Sequence, residues 1–200
     1  MLRVTVPPAL SAVTLAEAKA HLHVDFDDDD SLIEIYIKAA IDNLDGPGGW
    51  LGRALVSQTL ELRLDAFPAG AIRLPCPPLI EVSSVVYLDG GGSPQTLSPL
   101  AYQALGVGGE RPASIRPAAG ATWPAHVDYA EAVRITYRAG YVDTSESPPT
   151  GEVPGAIRAG LLLMIGDLYA VRETEVIGVS VARSATVENL LNPKRVPYLP

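Results

Sequence analysis

Apolar positions along this chain change period twice, and the changes divide it into parts. Between Pro154 and Glu173 (PGAIRAGLLLMIGDLYAVRE), Ile157, Leu161, Met164, Ile165 and Leu168 recur at helical spacing. Pro154 suits the first turn, where its missing N–H would have had no partner. Leu162, Leu163, Ala156 and Tyr169 spread apolar character round the other sides, which predicts a buried helix with the domain packed around it. Full burial of each large side chain is worth roughly 1.5–3 kcal/mol. Arg158 and Asp167 interrupt the run well short of the ~20 apolar residues of a membrane span.

Helical period also marks the N-terminal part. After an extended, Pro-containing leader over residues 1–13, Thr14-Leu15-Ala16-Glu17 fits a capping box and opens a short helix through about Leu22. Leu15, Ala18 and Leu22 share one face of it. Asp25-Phe26-Asp27-Asp28-Asp29-Asp30-Ser31 follows. Its alternating carboxylates suggest a calcium loop, but the sixth and twelfth positions, which need Gly and Glu, hold Asp30 and Tyr36. The acids are expected instead to cap the free N–H groups of a second helix, about Asp29 to Leu44, and to oppose its dipole. Leu32, Ile33, Tyr36, Ile37, Ala40, Ile41 and Leu44 form its stripe, and Asp45-Gly46-Pro47-Gly48-Gly49 ends it.

From Leu55 the period drops to two. Leu60, Leu62 and Leu64 alternate with Glu61, Arg63 and Asp65, which predicts a half-buried strand. Ile72 and Leu74 make a short second strand. Ile80, Val82, Ser84, Val86 and Leu88 alternate with Glu81, Ser83, Val85, Tyr87 and Asp89 in a third, ended at the Asp89-Gly90-Gly91-Gly92 turn. Gln95–Leu97, Tyr102–Leu105 and Ser114–Arg116 are weaker candidates, and Val133, Ile135 and Tyr137 define a firm last strand. Beyond Glu173, Thr174 to Ala185 holds no period and reads as a flexible loop. Val187–Leu191 makes one helical turn. The end, Asn192-Pro193-Lys194-Arg195-Val196-Pro197-Tyr198-Leu199-Pro200, is too rich in proline for regular structure.

The expected fold is therefore α+β. A helical core (two N-terminal helices plus the long C-terminal one, residues 14–50 and 153–173) carries an inserted antiparallel β region over 55–140. Residues 1–173 form one domain, and 174–200 a flexible loop and extended C-terminal tail. Strands inserted between core helices are expected to face neighbouring subunits or the tail rather than to build the core.

Composition narrows the function. In 200 residues, 48% hydrophobic content indicates a globular chain with ample core, and the net charge of −8 argues against a nucleic-acid clamp. The single cysteine, Cys76, excludes an internal disulfide and a Cys-based zinc cluster. Pro7 and Pro8 break the run after Arg3, so no signal peptide is read, and the protein is expected to be made in the cytoplasm. His21, His23 and His126 share no helical face or carboxylate pairing, and no nucleophile elbow, zinc-protease motif or P-loop is present. No catalytic residue, metal ligand or cofactor is expected.

Several stretches, in matching order, resemble the head–tail connector (adaptor) proteins of long-tailed phages and gene transfer agents. They are Leu15-Ala16-Glu17-Ala18-Lys19 with His21-Leu22, the acidic Asp27–Asp30, Gly52-Arg53-Ala54-Leu55-Val56-Ser57-Gln58-Thr59, Leu64-Asp65-Ala66-Phe67-Pro68, and Ile72-Arg73-Leu74-Pro75 before Pro77-Pro78-Leu79. Trp123-Pro124, Val133-Arg134-Ile135-Thr136-Tyr137, Ala139-Gly140-Tyr141 and Val153-Pro154 complete the set. The likeness covers about residues 14–173 and departs at Asp45–Trp50, where such proteins often continue as helix.

The resemblance implies a structural, non-enzymatic protein in the neck of a virion or gene-transfer-agent particle. Its copies would form a homo-oligomeric, dodecameric ring under the portal protein and meet a tail-side stopper or tail terminator. DNA would pass through without specific binding, and no membrane is involved. The segment expected to dock on the portal, ordering only on assembly, is Leu190, Leu191, Lys194, Arg195, Val196, Tyr198 and Leu199: two cations for partner carboxylates and apolar side chains for pockets between subunits. Competing readings are another neck, tail-completion or baseplate protein, a β-rich carbohydrate-binding module using Trp50, Trp123 and the tyrosines, and a hydrolase with a scattered site.

Overall fold

Helix-forming and strand-forming segments of this chain bury two separate apolar clusters. The computed structural model describes residues 1–145, 147–171 and 185–196. In chain order the elements are β1 (Leu2–Val6), α1 (Leu15–Leu22), α2 (Asp30–Leu44), β2 (Gln58–Leu64), β3 (Ile72–Leu74), β4 (Leu79–Leu88), β5 (Pro94–Thr96), β6 (Tyr102–Leu105), β7 (Ala113–Pro117), β8 (Val133–Ala139), α3 (Gly155–Ala170) and α4 (Ala185–Leu191). The first cluster joins Ala18 of α1, Ile33, Ile37, Ala40 and Leu44 of α2, Ile157, Leu161 and Ile165 of α3, and Leu191 of α4. The second lies among the strands: Leu60, Ile72, Leu74, Val85, Ile115, Ile135 and Tyr137 come from both sheets.

Those sheets are antiparallel throughout, one of five strands in the order β1-β2-β8-β4-β5 and one of three in the order β3-β7-β6. Alternation along β2 and β8 agrees with the sequence pattern: Leu60 and Leu62, Ile135 and Tyr137 point inward. β4 does not keep a single inward face. Its register against β8 shifts between Leu79 and Glu81 and again between Val82 and Ser84. Each bulge moves the following side chains across the sheet, so Leu79 and Val85 are buried while Ile80 and Val86 are half-buried. The large sheet is also not wholly an insertion. Its edge strand β1 comes from the leader ahead of both N-terminal helices and pairs with β2.

Three further expectations are corrected. α3 is not wrapped on all sides: Ile157, Gly160, Leu161 and Ile165 are buried, Leu162, Leu163 and Met164 half-buried, and Leu168 and Val171 exposed. Its apolar residues exceed what α1, α2 and α4 cover. Asp27, Asp29 and Asp30 act through tertiary pairs rather than as side-chain caps. Asp29 occupies the N-cap without a capping hydrogen bond from its side chain and accepts from the Tyr169 hydroxyl at 2.5 Å, while Lys19 bridges Asp27 at 2.7 Å and Asp30 at 2.6 Å. Finally, residues 185–196 are not a separate tail. Leu191 is 2% exposed and sits against Gly160, where an added Cβ would come within 2.8 Å of its Cδ2. The loop read over Thr174 to Ala185 lies, up to residue 184, outside the described residues.

The capping box on α1 forms as expected. The Thr14 N–H donates to Glu17 at 2.8 Å, and the Glu17 N–H donates to the Thr14 hydroxyl at 3.2 Å. Arg158 of α3 pairs with the same carboxylate, so one glutamate caps α1 and ties it to α3. The backbone hydrogen bond from Thr14 and the Arg158 charge hold the Glu17 carboxyl below its ordinary 4.5. A lowered folded-state pKa stabilises the fold above the unfolded value, and the contribution is lost as pH falls through the folded one. The stability difference between wild type and Glu17→Gln, measured by denaturant titration, is therefore expected to be constant above about pH 5 and to shrink toward about pH 3. A difference that grows on acidification would contradict this role.

Candidate functional site

The turn that ends α2 builds a seat for the C-terminal segment. Asp45 folds back, and its carboxylate accepts from the Leu55 N–H at 2.7 Å and from Gln58 Nε2 at 3.1 Å. Burial raises the pKa of this carboxyl, and the hydrogen bonds oppose the rise. The Trp50 N–H donates to the Asn43 carbonyl at 2.8 Å, which brings Leu51-Gly52-Arg53 alongside residues 194–196. The Val196 N–H donates to the Leu51 carbonyl at 2.9 Å. Gly52 has φ +63°, and a Cβ there would sit 2.7 Å from the Val196 carbonyl oxygen. Only glycine meets both demands without strain.

Arg53 closes the seat. It is 4% exposed, its Nε donates to the Lys194 carbonyl, its Nη2 lies 3.3 Å from Glu110, and its guanidinium stands 5.9 Å from the centre of the Tyr141 ring. Its Nη1 has no hydrogen-bond partner among the described residues. Glu110, between β6 and β7, also takes Lys194 Nζ at 3.1 Å. Burial pushes the Tyr141 hydroxyl up to about 12. Arg195 lies over the Trp50 ring at 4.7 Å, a cation–π contact. Next to it runs a groove of about 160 Å³, lined by Pro47, Trp50, Pro75, Pro112, Arg73 and Arg195.

The sequence-predicted docking residues thus divide. Leu190 is half-buried and Leu191 fully seated in the helical cluster. Lys194, Arg195 and Val196 engage Glu110, Trp50 and Leu51 of their own chain. Tyr198 and Leu199 lie outside the described residues. Gly52, Arg53 and Glu110 were not anticipated as parts of this site. Gly52-Arg53-Ala54-Leu55 stood out as a motif, but the partners of its arginine lie more than fifty residues away.

Among the described residues the candidate side chains are dispersed rather than gathered into a catalytic centre. His23 ends α1 in the left-handed conformation, and His21 lies beside Gly166. His126 packs edge-on against Phe67 at 5.5 Å. Burial pushes the Cys76 thiol up to about 12, far from a nucleophilic thiolate at neutral pH. Among the described residues there is no group of three His, Cys, Asp or Glu that could hold a metal ion, and no helix long and apolar enough to cross a membrane. Both tryptophans have a face in use, Trp50 under Arg195 and Trp123 stacked on Phe67 at 4.8 Å.

Residues 12–74 match the family model described as phage gp6-like head-tail connector protein. The likeness is to head–tail connectors. The matched span runs from the α1 cap through α2 and the Gly52-Arg53 seat to β3. No curated protein matches the chain. Among solved structures, a chain in the virion of a native gene transfer agent particle shares the fold at TM-score 0.77 and 22% identity, with 100% of this chain and 97% of that one covered. A chain in the neck of a native gene transfer agent particle, computed with C12 symmetry, gives 0.74 and 22% at the same coverage. One in the neck of an empty particle, computed with C6 symmetry, gives 0.75 and 21%, again at that coverage. The relatives are structural virion components rather than enzymes.

The seat makes a measurable prediction. Gly52→Ala forces a left-handed alanine, at about 1–2 kcal/mol, and drives its Cβ into the Val196 carbonyl. Hydrogen exchange at the Val196 amide and along α4 is expected to accelerate, while β2 and β8 stay protected. Leu191→Ala should release the same segment from its other end, at about 2–5 kcal/mol. Unchanged protection at Val196 in Gly52→Ala would show that the seat does not hold residues 194–196, the C-terminal strap.

Proposed function

We propose that this chain is a head–tail connector of a phage or gene-transfer-agent particle. Its copies form a ring beneath the portal, and the ring joins the DNA-filled head to the tail. The observation that carries the reading is the end-to-end likeness to chains of particle necks, joined with the connector family model over residues 12–74. The half-covered α3, with Leu168 and Val171 exposed, supports packing against neighbouring copies. The net charge of −8 suits a passage that DNA must traverse without sticking.

The C-terminal segment is the portal-docking element, in two parts. Leu191, Lys194, Arg195 and Val196 fasten it to its own body, and Tyr198 and Leu199 meet the portal. Fastening most of the segment before assembly lowers the ordering entropy lost on docking, and repetition round a ring makes weak individual contacts firm. A stopper or tail terminator binds the opposite side.

Ending the chain after Val196 separates the two parts, because the seat on Leu51 and Arg53 survives. In a particle-producing strain the expected result is DNA-filled heads without tails, from a protein whose melting temperature is unchanged. Normal tailed particles would overturn the docking role.

A further inference from the structure

The groove beside the strap carries two arginines without anionic partners. Arg73 is exposed on β3 and Arg195 exposed on the strap, and among the described residues neither forms an ion pair. Between them the floor is apolar: Trp50, Pro47, Pro75 and Pro112. Its volume, about 160 Å³, is close to the ~150 Å³ that suffices for a benzene-sized group in a protein cavity. A net charge of −8 makes a cationic groove with an aromatic wall stand out on this chain.

The same chain displays a feature of complementary shape and sign. Phe26 is 47% exposed, an aromatic ring set between Asp25, Asp27 and Asp28. Lys19 clamps this loop by holding Asp27 and Asp30 together, and Asp29 is held by Tyr169. Asp25 and Asp28 are exposed and form no ion pair among the described residues. The loop is thus preorganised, with its ring outward and two carboxylates uncommitted.

Knob and groove cannot meet within one copy. The knob directly precedes α2 and the groove begins just after it. The 15 residues of that helix hold them about 22 Å apart. We infer that the Phe26 knob of one copy docks in the Trp50–Arg73–Arg195 groove of the next. Phe26 fills the apolar floor, and Asp25 and Asp28 face the two arginines. Two different surfaces at opposite ends of one helix make a head-to-tail contact, the type that closes into a ring when the rotation allows. The inference rests on the ring-forming connector role proposed above and names the surfaces that would build the ring.

Cross-linking of the purified full-length protein tests it. Asp25→Cys and Gly48→Cys place thiols beside the knob and the groove. Gly48 is exposed and a Cβ there meets nothing within 4 Å, while the native Cys76 is buried. Mild oxidation of the double variant is expected to give a ladder of disulfide-linked multimers, whereas each single variant stops at dimers. Adding Phe26→Asp should reduce the ladder at least tenfold. Asp28→Arg and Arg73→Glu should each weaken it and together restore it, with circular dichroism unchanged in all. No ladder, or a ladder indifferent to Phe26 and to the charge swap, would overturn the contact. The two readings fail separately: cross-linking reads this contact whether or not the chain enters particles, and entry into particles reads the connector role without reference to Phe26.

Discussion

A buried guanidinium is the constraint from which much of this structure follows. Arg53 is almost fully removed from water, and a buried cation is tolerated only where hydrogen bonds and counter-charge replace its hydration. The groups that do so come from three distant parts of the chain: the Lys194 carbonyl on the strap, Glu110 between β6 and β7, and Tyr141 just after β8. Satisfying Arg53 therefore gathers the C-terminal strap, the small sheet and the exit of the large sheet at the end of α2. Gly52, next to it, lets the strap approach closely enough for the Val196 N–H to reach Leu51.

With that junction fixed, the polar side chains near it hold structure rather than perform chemistry. Glu110 serves Arg53 and Lys194, Asp45 serves Leu55 and Gln58, and Glu17 serves its own helix cap and Arg158. What stays uncommitted is surface: the outer side of α3, the Phe26 knob, and the arginine-rimmed groove. A single copy that binds its own strap tightly and leaves complementary surfaces open is suited to assembly.

Much of the fold was legible in the sequence wherever local chemistry decides the outcome. The Thr14–Glu17 capping box, the α2 stripe, and the alternation in β2 and β8 all depend on neighbours within a few residues. The misreadings share a cause. The aspartates before α2 look like caps until Lys19 and Tyr169 arrive from other helices. Bulges in β4 are set by its pairing with β8, so an even alternation misplaces its inward face. The apolar character of α3 was plain, but how many neighbours would cover it was not. For the candidate site, the cations and apolar residues at the C-terminus stood out, but the parts of their own chain that they engage did not. That Leu191 would fill a notch at Gly160, and that Gly52-Arg53 would hold residues 194–196, depends on contacts between segments far apart in the chain.

The most direct test of the account is the structure of a particle neck assembled with this chain, imaged at side-chain resolution. The account predicts a ring of its copies between portal and tail, the strap still seated with Val196 on Leu51 and Lys194 on Arg53, and the residues after Val196 against the portal. A neck in which the chain is absent, or in which the residues after Val196 touch only their own copy, would contradict it.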